Sequence, residues 1–233
     1  VKGVVKDVKD HWKEPTENKY ISYREFTAYS VGGIGVNTIN SLFNYVALSA
    51  NCLLLGSAYG IDPVHLVWMS TIVSILNLAK SPFISMLIDN TNTKFGKFRP
   101  YLIITGIPTA FLICLMAFIP TDANYTLKCV LLCLIYALAM LFQSTYSLAY
   151  SSLAQVLTPN SAERTSLLSV SAFIYNLGPS IVGIVLPIIA ELFSGGMRGV
   201  AVYRVMFPVF SVAGILLRIW TFKDTKEKII VPK

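Results

Sequence analysis

Residues Asp89–Pro100 read DNTNTKFGKFRP and separate two long, oily runs, LVWMSTIVSILNLAKSPFISMLI (66–88) and YLIITGIPTAFLICLMAFI (101–119). Each run reaches the roughly 20 residues that a helix needs to cross about 30 Å of hydrocarbon. One acid, one glycine and three cations set among amides and hydroxyls cannot stay in hydrocarbon, where backbone and charge find no water. The stretch therefore reads as a loop in water, and its flanks read as two membrane-crossing helices.

The rest of the chain follows the same pattern. Of 233 residues, 55% are hydrophobic and 13% charged, and the mean hydropathy is +0.63. Soluble domains carry about 25% charged residues, so the composition is that of a polytopic membrane protein. Six spans are expected, at about 26–54, 64–89, 101–119, 126–151, 166–193 and 202–222. The turn-rich stretches GSAYGIDP, the opening loop, IPTDAN, TPNSAER and FSGGMRG separate them. Residues 1–23 form a polar leader whose Val4, Val5, Val8 and Trp12 suit either an amphipathic surface helix or a solvated tail. Residues 223–233 form a basic tail. No removable signal peptide is expected before the first span.

With six spans both termini share a side. That side collects fifteen Lys and Arg residues, Arg218 among them, against three (Lys128, Arg198 and Arg204) on the other, with Lys80 left inside a span. The positive-inside rule then puts both termini in the cytoplasm of a plasma-membrane protein. The net charge of +7 is topological, and no nucleic-acid partner is implied. Cys52, Cys114, Cys129 and Cys133 all lie in apolar runs and read as free thiols acting as small hydrophobes. The chain offers no Ser/His/Asp or Cys/His set and no metal-ligand spacing, so neither an enzyme, a cofactor nor a metal site is expected. The sequon at Asn124 sits in a short loop and carries little weight.

Polar residues inside the spans mark a candidate cavity. Ser70, Ser74, Asn77, Lys80 and Ser81 recur at spacings of three and four, which share one helix face. Lys80 lies nine residues before Asp89, about 13 Å deeper. A lysine there costs roughly 2.5–3.5 kcal/mol on insertion scales and marks a pathway, unless it snorkels to the surface. Asn37, Asn40, Ser41 and Asn44 repeat the pattern on the first span, behind VGGIG. The fourth offers Gln143, Ser144, Tyr146, Ser147, Tyr150 and Ser151. Amides, hydroxyls and rings around a central space suit a sugar, although such groups also bond packed helices together. Asn37, Asn40, Asn44, Asn77, Lys80, Ser81, Ser147 and Tyr150 are the candidate substrate residues. Gly178, Pro179 and Pro187 loosen the fifth span, as a hinge or as a static kink.

An acid closing the second span, followed by glycine and basic residues, resembles the loop between helices two and three of the major facilitator superfamily. The fuller form, Asp89-x-Thr91-x-Thr93-Lys94-Phe95-Gly96-Lys97-Phe98-Arg99-Pro100-Tyr101, is similar to the glycoside–pentoside–hexuronide:cation symporters, the melibiose carriers among them. AERT (162–165) and FKDTKEKI (222–229) match further pieces of that family. The resemblance implies an all-α membrane protein, the N-terminal six-helix half of a major facilitator fold, bound by membrane lipids. It also implies a small polar solute (a sugar or glycoside), a second six-helix half, and alternating access with Asp89, Gly96, Lys97 and Arg99 in the gate. Asp89 is expected to face a cation or a helix N-terminus of a neighbouring span. The family's cation-site carboxylates fall on Asn77, Ser81 and Ser147 here, a sugar-site acid on Asn37, and an arginine near Ala172. The Lys80 ammonium then stands where the coupling cation would, giving a uniporter or exchanger. The other readings are a non-transporting six-helix subunit and a lipid carrier with an apolar cavity.

Overall fold

The computed structural model describes residues 8–16, 19–46, 53–91, 93–94, 96–193 and 196–229, with the side chains of Tyr45, Leu53, Ser81 and Met197 outside that set. The helices are α1 (Tyr23–Val46), α2 (Pro63–Asn90), α3 (Arg99–Ile104), α4 (Gly106–Ala117), α5 (Tyr125–Leu157), α6 (Ser161–Tyr175), α7 (Leu177–Ala190) and α8 (Val200–Asp224). A π-helical turn, Leu53–Ala58, precedes α2. Val4, Val5 and residues 47–52 of the first expected span, Cys52 among them, lie outside the described residues.

Among the described residues five helical stretches are long and apolar enough to cross a membrane: Pro63–Asn90, Arg99–Ala117, Tyr125–Leu157, Ser161–Ala190 and Val200–Asp224. At 24 residues α1 is long enough, but Arg24, Glu25, Asn37, Asn40 and Asn44 keep its described part out of that set.

Local chemistry explains where the helices differ from the expected spans. Asn160 caps α6, its Oδ1 accepting from the Ala162 N–H at 3.0 Å, so AERT forms the first turn of a helix instead of a connecting loop. The third span breaks at Thr105, where Pro108 has no N–H for the Ile104 carbonyl. The fifth breaks at Asn176, and Pro179 leaves the Tyr175 carbonyl without its helical donor.

The N-terminus of α1, the α2–α3 loop, the α5–α6 turn and the end of α8 meet at one end of the bundle, through Arg24–Asp224, Glu227 on the loop amides, and Lys228 on Val156. At the opposite end Lys128 Nζ donates to the carbonyls of Thr121 (3.0 Å) and Tyr59 (3.4 Å), and Arg204 Nε donates to that of Ala117 (3.1 Å). Consecutive rods therefore alternate in direction.

Helix α1 is the centre of the packing, with α8 on one flank and α6 and α7 on the other, while α5 packs on α4 and carries α2 outermost. Its VGGIG segment is closely packed. A Cβ on Gly33 would lie 1.7 Å from the Tyr175 ring, and one on Gly35 would lie 2.9 Å from the Gly214 carbonyl of α8. Small residues let membrane helices approach, where packing contacts replace the hydrophobic drive. Two apolar clusters result. One runs from Ile39 and Leu42 through Ile113 and Leu132 to Phe207. The other runs from Tyr29 and Val36 through Tyr101 and Tyr146 to Leu167.

Gly33→Ala is expected to lower stability by about 1–3 kcal/mol, the usual cost of overpacking a close contact. Thermal unfolding in detergent checks this, and an unchanged melting temperature would contradict the α1–α6 contact.

Candidate functional site

Between α1, α2 and α5 lies a cavity of about 630 Å³, lined among others by Asn40, Asn44, Ser85, Gln143, Ser144 and Ser147. Its polar wall continues inward as a hydrogen-bonded relay. Arg218 of α8 donates from Nη2 to Gln143 Oε1 (3.2 Å), and Gln143 Nε2 donates to Asn40 Oδ1 (2.6 Å). Asn40 Nδ2 then donates to Asn37 Oδ1, and Asn37 Nδ2 to the Tyr175 carbonyl, both at 3.4 Å. That last acceptor is the carbonyl that Pro179 leaves free.

Arg218 is 2% exposed. Its Nη1 donates to the Gly106 carbonyl at 2.7 Å and its guanidinium lies 3.9 Å from the Tyr146 ring centre. No carboxylate pairs with it among the described residues. Gly106 is needed beside it, because a Cβ there would stand 3.1 Å from Arg218 Cδ and Nη1. The expected position of Arg218 on the basic side is therefore corrected. It lies six residues before the end of α8, about 9 Å inside, and it turns inward because carbonyls and an aromatic face await it there.

Of the eight candidate substrate residues, Asn40, Asn44 and Ser147 line the cavity, and Asn37 joins it through the relay. Lys80 Nζ donates to the Met140 carbonyl (2.9 Å) and to Ser144 Oγ (3.0 Å), so the ammonium bridges α2 and α5 instead of snorkelling. Asn77 sits with Lys80 in a neighbouring groove of about 310 Å³ lined mainly by apolar groups. Ser81 lies on α2 with its side chain outside the described set. Along the same helix Ser74 is exposed and Ser70 bonds back to the Val67 carbonyl.

Tyr150 lies away from the cavity. It stacks on Tyr29 at 4.6 Å between ring centres, and its hydroxyl donates to the Tyr29 carbonyl. Its aromatic face is taken by the tyrosine cluster of Tyr29, Tyr146 and Tyr175. Sequence reading put Gln143 and Ser144 on the right helix but missed Arg218. The usable signal was a lone cation two turns inside an apolar helix, in GILLRIW (214–220).

At the basic end the residues expected in the gate meet the tail. Lys97 Nζ pairs with Asp89 Oδ1 at 2.8 Å, and Asp89 is 71% exposed. The expectation that Asp89 faces a neighbouring span is corrected, since its partner belongs to its own loop. The carboxylate at the helix N-terminus is Glu227, which accepts the backbone N–H groups of Lys97 (2.8 Å), Phe98 (2.8 Å) and Arg99 (3.0 Å). Gly96, at φ +109°, leaves room for it, because a Cβ there would fall 2.4 Å from the Glu227 carboxyl carbon. Arg99 donates to the Phe222 carbonyl and stacks 4.9 Å from the Phe222 ring centre. Arg24–Asp224 and Lys228–Glu25, both at 2.5 Å, complete a clasp across this end.

Comparison with known proteins gives one family match, to the family described as MFS/sugar transport protein, over residues 28–232. The Bacillus subtilis "Uncharacterized symporter YnaJ" is 28% identical over 92% of this chain and 46% of its own length. The Escherichia coli "Glucuronide carrier protein homolog" is 26% identical over 91% of this chain and 46% of its own. The Lactiplantibacillus pentosus "Isoprimeverose transporter" is 24% identical over 90% and 43%. The chain thus spans about half the length of the curated relatives it matches. These matches bear out the resemblance carried by the opening loop.

Glu227→Gln removes a charged acceptor shared by three amides and is expected to cost about 1–3 kcal/mol. Asp89→Asn removes an exposed pair worth about 0–1 kcal/mol. Thermal unfolding of both variants checks the order, and an equal or larger loss in Asp89→Asn would contradict it.

Proposed function

The chain belongs to the MFS/sugar transport protein family, and from that membership we propose that it supplies the N-terminal half of a secondary transporter for a sugar or glycoside. It does so with six spans, α1 being the sixth, and with both termini in the cytoplasm of the plasma membrane. A second six-helix half, on the same polypeptide or a partner, closes the cavity from the other side.

The observation that carries this reading is the relay of Arg218, Gln143, Asn40 and Asn37, whose Gln143 and Asn40 line the 630 Å³ cavity. A sugar presents many hydroxyls in fixed directions, and a rigid array of amides matches them without charge. Buried amides left unpaired are costly, so an empty cavity favours a solute that completes their bonds. Alternating access then needs the basic end to open and close. Glu227, Asp224 and Lys228 hold it shut across α1, the α2–α3 loop and α5, and opening exchanges those contacts for water.

The Lys80 ammonium, held by a carbonyl and a hydroxyl between α2 and α5, serves as a tethered cation. No carboxylate lines the described cavity. A fixed positive charge at that place removes the need for an inorganic one, so transport is uniport or exchange.

The test is uptake of tritiated methyl glycosides of glucose, galactose and xylose by the protein carrying this chain in proteoliposomes, with and without sodium and proton gradients. Saturable uptake indifferent to both gradients, reduced about tenfold or more in Lys80→Ala, is expected. Sodium-dependent uptake that persists in Lys80→Ala would overturn the tethered cation. Absence of uptake under every condition would favour the non-transporting subunit.

A further inference from the structure

We propose that Arg218 is the specificity-determining positioning residue of the cavity. By holding the Gln143 carbonyl it fixes the direction of the whole amide relay, so that the cavity wall offers N–H donors to the oxygens of a bound sugar. The proposal rests on the transport reading above and names what sets the polarity of its binding surface.

The direction follows from one asymmetry. An amide can present either its oxygen or its nitrogen to a neighbour, and the two are hard to tell apart by shape. A guanidinium only donates. With Arg218 Nη2 at 3.2 Å, Gln143 must turn Oε1 toward it, which places Nε2 on Asn40 Oδ1 at 2.6 Å. Asn40 must then donate to Asn37 Oδ1, and Asn37 to the Tyr175 carbonyl, which as a carbonyl can only accept. The relay begins at a group that cannot accept and ends at one that cannot donate, so no amide in between can flip alone. Each carbonyl oxygen is engaged along the line, and each amide keeps a second N–H. Gln143 and Asn40 line the cavity and Arg218 does not, so Arg218 acts through them.

Arg218 is itself fixed from three sides. Nη1 holds the Gly106 carbonyl at the break of the third span, the ring of Tyr146 lies against the guanidinium, and Gly106 leaves space for the side chain. A group placed only to join helices would need none of the amide continuity beyond Gln143.

The obvious variant, Arg218→Met, removes the staple on Gly106 along with the polarity and can fail to fold. Gln143→Glu separates the two. It keeps an acceptor for Arg218 and adds an opposite charge to it, but it cannot donate to Asn40. Asn40 must flip to donate back, and the wall then presents acceptors. In the protein carrying this chain, assayed with the same tritiated methyl glycosides, Gln143→Glu is expected to keep or raise the melting temperature. Its KM should rise about tenfold or more while kcat changes far less, as fits loss of binding shared by ground and transition states. Arg218→Lys, which keeps charge but loses the forked donor, should raise KM in the same direction. A Gln143→Glu variant that folds and retains the wild-type KM would overturn the proposal while leaving the transport reading intact. Absence of both uptake and glycoside binding by the wild-type protein would overturn both.

Discussion

The interior of this bundle depends on a guanidinium buried with no carboxylate partner among the described residues. Taking a charge out of water is expensive unless its donors are engaged, and Arg218 places Nη1 on the Gly106 carbonyl, Nη2 on the Gln143 amide oxygen and its face on the Tyr146 ring, with Nε buried and without an acceptor among the described residues. Those partners come from two other rods, so one side chain ties α8 to α5 and to the break between α3 and α4. Because it can only donate, it also imposes a direction on everything bonded beyond it. The relay from Arg218 to Tyr175 separates the apolar cluster around Ile113 and Phe207 from the tyrosine-rich one around Tyr29 and Tyr150.

Charge is otherwise kept to the ends. Asp224, Glu25 and Glu227 act at the basic end, where they bind cations and backbone amides of α1 and the α2–α3 loop. Among the described residues the two interior cations, Lys80 and Arg218, are held by carbonyls, a hydroxyl, an amide and a ring. The division has a mechanical consequence. In the proposed transporter the contacts at the ends exchange for water as a gate requires, whereas the buried contacts of Arg218 with Gly106 and Gln143 have no exposed alternative. That division suits the alternating access proposed above.

Much of this was legible in the sequence, for identifiable reasons. Apolar runs of span length bounded by Pro, Gly and charged loops located the helices, and the DNTNTKFGKFRP loop pointed to the family. Periodicity placed Asn40, Asn44 and Ser147 on faces that meet at the cavity, since spacing fixes direction on a helix. It could not rank polar residues by partner. Tyr150 shares a helix with Ser147, but the ring of Tyr29 claims it. Arg218 was counted with the basic end because a cation near a helix terminus usually reaches water, and only tertiary packing shows that a carbonyl and a ring await it inside. Likewise Asp89 and Glu227 are both acids near the same loop. Which one caps the loop amides depends on Gly96 and on the path of the tail after α8, which no local pattern encodes.

The central claim is that Arg218 sets a donor-lined wall, and the most direct measurement is a structure of the protein carrying this chain with a methyl glycoside bound. Sugar oxygens should lie about 3 Å from Gln143 Nε2 and Asn40 Nδ2, with Arg218 still on Gln143 Oε1. A sugar bound away from these amides, or Arg218 drawn off Gln143 onto a carboxylate, would contradict it.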